Sequence, residues 1–315
     1  MTKAKRKGVA VSLEGQRLAQ ALSSAISTEF EATIETCRSG DDAGERVHSA
    51  RKHLKRWRAL VRLLPRAAEK KLSRPSRVVR LVARRLGGVR DAVAQLETWR
   101  KFNEAQANQE PEQSPSDPIA ERLEQSAQMQ LGRGVVEQRL QRGARALQLA
   151  RAEVQLALAA GIQSEQRSLR AVARGLRRSY RKARLALSGA RLDPNGQTLH
   201  TLRRANKAHQ YQLQFLEPAW QKLLKAQRLE AAELSDELGE HHDLTLIAAA
   251  FPGSSDSPSS FDPTLAQLTH WQRRLEQKVL RRAALVYSEK PRAFRRRVLG
   301  YLRVDVAAPS NSETQ

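Results

Sequence analysis

The 315-residue sequence has one cysteine, Cys37. No intramolecular disulfide can form, and Cys37 reads as a small buried apolar residue on the first helix. No apolar run approaches the roughly 18 residues needed to span a bilayer. The basic start, Met1 to Lys7, is followed only by the short, interrupted stretch Val9 to Leu13, which is not a signal-peptide core. A cytoplasmic location without membrane insertion is expected. Aromatic residues make up 4% of the chain; Trp57 and Tyr180 fall on apolar helix faces and only Tyr211 is near a basic stripe, which argues against stacking platforms for single-stranded bases. Alternating runs of Val, Ile, Thr or Tyr are missing, which argues against sheet. Catalytic signatures are missing as well. There is no Gly-x4-Gly-Lys-Ser/Thr phosphate loop, no Gly-x-Ser-x-Gly elbow and no paired Cys and His. His241-His242-Asp243 does not read as a metal site, because adjacent helical residues point about 100° apart. An enzyme is not expected, nor a cofactor.

Acids are the most consequential shortage. Asp and Glu number 33 against 56 Lys and Arg, a formal charge of +23, with an isoelectric point near 11.1. Charge of that size repels itself, so the usual partner should be anionic: nucleic acid, an acidic membrane surface or polyphosphate. Charge alone does not choose among them.

What the chain does have is helix signal. Apolar residues make up 40%, chiefly Leu and Ala, at 3-4 spacing, and the fold class is all-α. Breakers divide it into helices. These run from about Ser12 to Arg38, Gly44 to Leu64, just after Pro65 to Leu86, and Val89 to Phe102. A long stretch ends near Ala160, with doubtful points at Gly132-Gly134 and Gly143. Further helices are expected over Gln163 to Leu187, Thr198 to Leu216, Ala219 to Ala250, Thr264 to Ser288 and Pro291 to Tyr301. Asn103 to Pro118 and Phe251 to Pro263 read as loops, residues 1–11 as a basic tail and 304–315 as a disordered one.

Three helices carry basic rows. On Gly44 to Leu64, the apolar face is Val47, Ala50, Leu54, Trp57, Val61 and Leu64. A second stripe holds His48, Arg51, Lys52, Lys55, Arg58 and Arg62, with no acid between Glu45 and Glu69. A merely solvated face usually mixes signs, because like charges one turn apart destabilise a helix by a few tenths of a kcal/mol. On Gln163 to Leu187, Arg167, Arg170, Arg174, Arg177, Arg181 and Arg184 form one row, about 25 Å long at 1.5 Å per residue. Arg178 and Lys182 flank it, opposite an apolar face of Leu169, Val172, Leu176, Tyr180, Ala183 and Leu187. A weaker row holds Arg274, Lys278, Arg281 and Arg282, followed by Lys290, Arg292, Arg295 and Arg296. A line of guanidinium groups suits a line of phosphates, which each can grip with two parallel hydrogen bonds. The acid cluster Glu233, Asp236, Glu237, Glu240 and Asp243 has helical spacing and reads as salt-bridging.

The sequence repeats itself. Val47-His48-Ser49-Ala50-Arg51-Lys52-His53-Leu54-Lys55 returns as Leu199-His200-Thr201-Leu202-Arg203-Arg204-Ala205-Asn206-Lys207, 152 positions later. Leu86-Gly87 with Asp91 returns as Leu238-Gly239 with Asp243 at the same 152-residue offset. Equal spacing of two separated motifs indicates a duplicated helical unit packed on its copy. Asp91 and Asp243 are expected to pair with basic residues in the core of each half, orienting Arg51 and Arg203. Gln210 stands where the first repeat has Arg58, which weakens the second half's share of any binding surface. His48 and His200 fit two roles equally: a phosphate hydrogen bond, or a semi-buried contact with a neighbouring helix. His53, His209 and His270 read as structural or surface residues.

The doubled pattern of an apolar residue, His-x-x-Arg-basic-x-x-Lys, then Leu-Gly and Asp resembles the CHAD family over most of the chain. The resemblance implies two homologous four-helix-bundle-like halves, about 12–160 and 163–303, related by a pseudo-twofold with a basic groove or pore between them. It also implies binding of inorganic polyphosphate and association with polyphosphate granules. No Glu-x-Glu-x-Lys strand is found, so the chain resembles a stand-alone member. The candidate binding residues are the first two basic rows with Arg178, together with His200, Arg203, Arg204, Lys207, Arg274, Lys278 and Arg281. The rival reading is a general nucleic-acid backbone binder, since weak, salt-sensitive DNA binding needs only cations.

Overall fold

The computed structural model describes residues 18–107, 118–160, 165–249 and 263–307. The basic N-terminal tail, most of the two expected loops and the end of the C-terminal tail lie outside them. Among the described residues the chain is helical with no strand. The order is α1 (Leu18–Arg38), α2 (Ala43–Val61), α3 (Arg66–Lys71), α4 (Ser73–Arg85), α5 (Gly87–Ala107), α6 (Pro118–Leu131) and α7 (Arg133–Ala159). Then come α8 (Glu165–Leu192), α9 (Gly196–Leu216), a 3-10 turn at Glu217–Trp220, α10 (Gln221–Ala249), α11 (Pro263–Val286) and α12 (Pro291–Ala307).

The two motif helices start in the same way. Asp42 Oδ1 accepts from the backbone N–H of Gly44 and Glu45 at the head of α2. Asn195 Oδ1 accepts from those of Gln197 and Thr198 at the head of α9, and Thr198 Oγ1 accepts from the Asn195 N–H in return. Such caps satisfy donors that a helix leaves unpaired at its first turn.

Several boundaries differ from expectation, for local reasons. The helix expected from Pro65 to Leu86 breaks at Leu72. Pro75 has no N–H and fits only a first turn, so the helix restarts at Ser73. The stretch expected to reach Ala160 breaks at Gly132, whereas Gly143 stays helical, its Cα facing Val82 of α4. Helix α8 runs on to Leu192, and α12 continues through Ala307, so residues 304–307 are helical rather than part of a tail.

The apolar faces read from the sequence are the core. Every residue assigned to the apolar face of α2 and of α8 is buried. Helix α1 packs on α2 and α7, and α4 also packs on α7. In the second part of the chain α8 packs on α9 and α12, and α10 on α9 and α11. Helix α5 packs on α6 and on α10, and its Phe102 meets Trp271 of α11 edge-on at 6.0 Å. At the centre α2 meets α9, where buried Gln212 donates from Nε2 to the Ala59 carbonyl at 2.9 Å. Helix α8 then crosses the end of α2 at Gly175. A methyl group there would lie 2.5 Å from the Arg62 carbonyl oxygen and 2.7 Å from the Leu63 Cα.

The cores of the two repeats are filled differently. Trp57 packs on Phe30 at 5.8 Å. Its repeat equivalent, His209, is 1% exposed among Tyr180, Tyr287 and Phe294. Burial pushes its imidazole down to about 3. Where the first repeat has Leu54, the second has buried Asn206. Asn206 donates to the Ala231 carbonyl and Ser235 and accepts from the Tyr287 hydroxyl at 2.6 Å.

Two predictions follow from this packing. Gly175→Ala should cost about 1–3 kcal/mol, because the obstacle is backbone and cannot swing aside. Gly189→Ala, which meets nothing within 4 Å, should gain up to about 1 kcal/mol of helix propensity; urea unfolding of both variants checks the contrast. His209 stays neutral in the folded protein but charges in the unfolded chain near pH 6.5. Stability should therefore fall as pH drops from about 6.5 toward 3, by roughly 1.4 kcal/mol per pH unit from this group. Replacing it in His209→Phe should remove that part of the slope in melts recorded across the range.

Candidate functional site

The repeated motifs meet where α2 passes α9. Arg51 reaches from α2 to the head of α5, where its Nη2 lies 3.1 Å from Asp91 Oδ1. The guanidinium lies so close over Gly87 that a Cβ there would be 3.0 Å from Arg51 Nη1. The same arrangement recurs 152 residues on, where a Cβ at Gly239 would be 3.0 Å from Arg203 Nη2. The Leu-Gly of each repeat is thus a clearance that lets an arginine of the motif helix lie across the neighbouring helix. Asp91 is exposed, not in the core as expected, while Asp243 is 9% exposed. Asp91 also lies near His200 and His242 of the second repeat.

Between these arginines sits Lys55. Burial, then Arg51, Arg203 and Lys207 around it, pull its ammonium down to about 8, against a weaker pull from Asp91. Lys55 is nonetheless an exposed residue, so solvent screens much of this repulsion. Lys207 is lowered by burial and by Arg203, although Asp236 lies 3.6 Å from its Nζ. Further along, Arg58 of α2 and Arg62 at its C-terminal end gather with Arg204 of α9, and Arg80 of α4 adds to the field at Arg58. Lys182 of α8 joins them, lowered first by burial and then by Arg62, Arg204 and Arg58. Arg178, one turn earlier on α8, donates to the Arg62 carbonyl at 2.8 Å and lies 3.5 Å from Glu69. The result is a cationic seam built from α2, α9 and α8, with Asp91, Asp236 and Glu69 near it and Glu29 on its Lys52–Tyr211 flank.

Arg204 was read as part of the second motif, and the structure gives it a specific role. It stands beside Arg58 and Arg62, so the second repeat supplies charge there despite Gln210, which accepts from Ser235 Oγ instead. Lys182 and Arg80 were missed as site residues. Lys182 sat beside the arginine row in sequence but one position off it, and nothing in the sequence brought α4 to α2.

The remaining residues of the expected set are placed elsewhere. Lys52 lies on the flank of α2 toward Arg56 and Glu29, with His48 exposed near the helix start. His200 rests on His242, ring centres 4.6 Å apart. Burial and the neighbouring Arg203 hold both imidazoles below their usual value, His242 at about 4. The α8 row does not face one partner. Arg178 reaches the seam, while Arg170 and Arg174 face α12. Arg184 donates from Nη1 to the carbonyls of Tyr287, Ser288 and Glu289 at the end of α11. Arg167 and Arg181 are exposed and Arg177 half-buried. The α11 row faces α10, where Lys278 lies 3.1 Å from Glu237 and Arg282 pairs with Glu230, Glu233 and Glu237. Arg274 and Arg281 are exposed beside them.

Fold and site together define an all-helical protein whose duplicated motif helices cross and pool their cations. The CHAD domain family model matches residues 20–252, most of the chain, and the protein belongs to that family. Comparison with the curated proteins finds no match. Among solved structures, the crystal structure of the CHAD domain from the plant Ricinus communis superposes with a TM-score of 0.53. It covers 98% of each chain at 20% identity, so the likeness concerns the fold.

Gly239→Ala separates the site from the fold. The obstacle is the mobile end of Arg203, so the helix should keep its stability or gain up to about 1 kcal/mol. Displacing the guanidinium should nonetheless weaken binding of a phosphate polymer severalfold. Thermal unfolding and a binding titration on the same sample check both halves of the expectation.

Proposed function

We propose that this protein binds inorganic polyphosphate along the α2–α9–α8 seam without catalysing a reaction and without a cofactor. The observation that carries the reading is the company kept by Lys55. A lysine flanked by Arg51, Arg203 and Lys207, and lowered to about 8 despite Asp91, marks a site where cations outnumber the carboxylates beside them. Such an arrangement costs folding energy unless an anion supplies the missing counter-charge. Arginines drawn from crossing helices offer forked donors at several angles, which suits phosphates that follow one another along a flexible chain. The CHAD resemblance supports polyphosphate as that chain and granule association as the cellular setting. No described helix is long and apolar enough to cross a membrane.

Nucleic acid fits less well for a structural reason. Tyr211, the aromatic residue at the seam, is 8% exposed. Its ring is covered by Arg56 at 5.8 Å and Lys207 at 6.0 Å. It offers no face on which a base could stack, so DNA would have to bind through its backbone alone.

The test is binding of labelled long-chain polyphosphate at about 150 mM and about 300 mM salt, with duplex DNA as competitor. Polyphosphate should remain bound at the higher salt and resist displacement by DNA, and Lys55→Gln with Arg203→Gln should lower its affinity at least tenfold. Binding should also restore Lys55 toward its ordinary value. The complex then takes up protons between about pH 8 and 10, measurable by calorimetry in buffers of different ionisation enthalpy. DNA competing equally at both salts would replace this reading with general polyanion binding.

A further inference from the structure

The seam uses Arg178 and Lys182 of α8 but leaves Arg170 and Arg174 unexplained. These two lie toward the start of the helix, Arg170 about 12 Å from Arg178 along the axis. They do not face open solvent alone. With Ala173 they form one wall of a pocket of about 220 Å³, and Arg295, Leu299 and Arg303 of α12 form the other. Four arginines therefore converge on one small volume, and no carboxylate lies among the lining residues. Glu289, the acid just before α12, is engaged by Arg297, 2.8 Å away, which does not line the pocket. Arg295 Nε is buried without a hydrogen-bond partner among the described residues. The lining thus supplies four guanidinium groups and no counter-charge, and an anion is the ligand that such a lining fits. The packing of α12 on α8 fixes the pocket walls.

The pocket is linked to the seam through α8. Arg174 lies close enough to Arg178 to lower it, and Arg178 in turn holds the Arg62 carbonyl at 2.8 Å. The shapes differ, however. The seam is an open line of cations from crossing helices, whereas the pocket gathers its arginines around a point.

We propose that the α8–α12 pocket is a second phosphoanion subsite, suited to a compact oligophosphate, either free or as the end of a longer chain lying in the seam. The chain-end role rests on the polyphosphate reading; the chemistry of the pocket does not. The subsite would make long chains bind at two connected points and so favour them over short ones.

Calorimetric titration with tripolyphosphate tests the pocket directly. The unaltered protein should bind about two molecules per chain, and Arg295→Gln with Arg303→Gln should bind one. Arg296→Gln, an exposed change on the same helix outside the pocket, should keep both, and matching melts of the variants show that the fold is intact. Affinity for long-chain polyphosphate should fall about tenfold in the double variant, with a salt dependence shallower by about 2 in logarithmic slope. A drop in tripolyphosphate sites with unchanged long-chain affinity identifies the occupant as a free short phosphoanion. A pocket that takes tripolyphosphate in a protein that ignores long chains keeps the subsite and removes the seam function. Unchanged tripolyphosphate stoichiometry in the double variant overturns the proposal.

Discussion

Like charges held together by apolar packing are the constraint on which this structure turns. Helices α2 and α9 bury Leu and Ala faces and are tied by a buried Gln212 bond to the Ala59 carbonyl. That contact forces Lys55 among Arg51, Arg203 and Lys207, and brings Arg204 to Arg58 and Arg62. The electrostatic cost is carried by the hydrophobic contact beneath it. Gly175 extends the same arrangement, since only a residue without a side chain lets α8 approach the α2 carbonyl closely enough to deliver Arg178 and Lys182.

The two repeats share this surface but not their interiors. Both start their motif helix with an Asx cap, and both use a glycine as the bed for an arginine. Inside, the first repeat has Leu54 and Trp57 where the second has Asn206 and His209. The polar pair is tolerated because Asn206 is satisfied by Ala231, Ser235 and Tyr287, and because His209 stays uncharged among aromatic rings. The two motif helices thus keep one surface pattern over differently filled cores. Acids follow the same division: those of α10 neutralise α11, leaving the α2–α9 seam with few.

The seam was partly legible in the chain. The missing acids between Glu45 and Glu69 identified α2 as a helix whose charge needs a partner, and the offset of 152 residues located its counterpart in α9. The straight arginine row on α8 was legible too, but its single role was not. One row of side chains on one helix meets three neighbours along its length. Arg170 and Arg174 meet α12, Arg178 meets the end of α2, and Arg184 meets the carbonyl end of α11. Periodicity reports the face of a helix, not what crosses it. Lys182 and Arg80 escaped notice for the same reason, since their neighbours come from distant segments.

The sequence by itself determined the helices, their apolar faces, the duplicated motif and the excess of cations. Each of these follows from local spacing and composition, which act within a few turns of chain. Tertiary structure alone decided which cations stand together and which are spent on acids or carbonyls. That outcome depends on crossing angles and on close approaches at Gly87, Gly175 and Gly239, where the absence of one carbon sets the distance between helices or between a helix and an arginine. Electrostatic energy changes steeply over such distances, so charge content was readable from the sequence while charge placement was not.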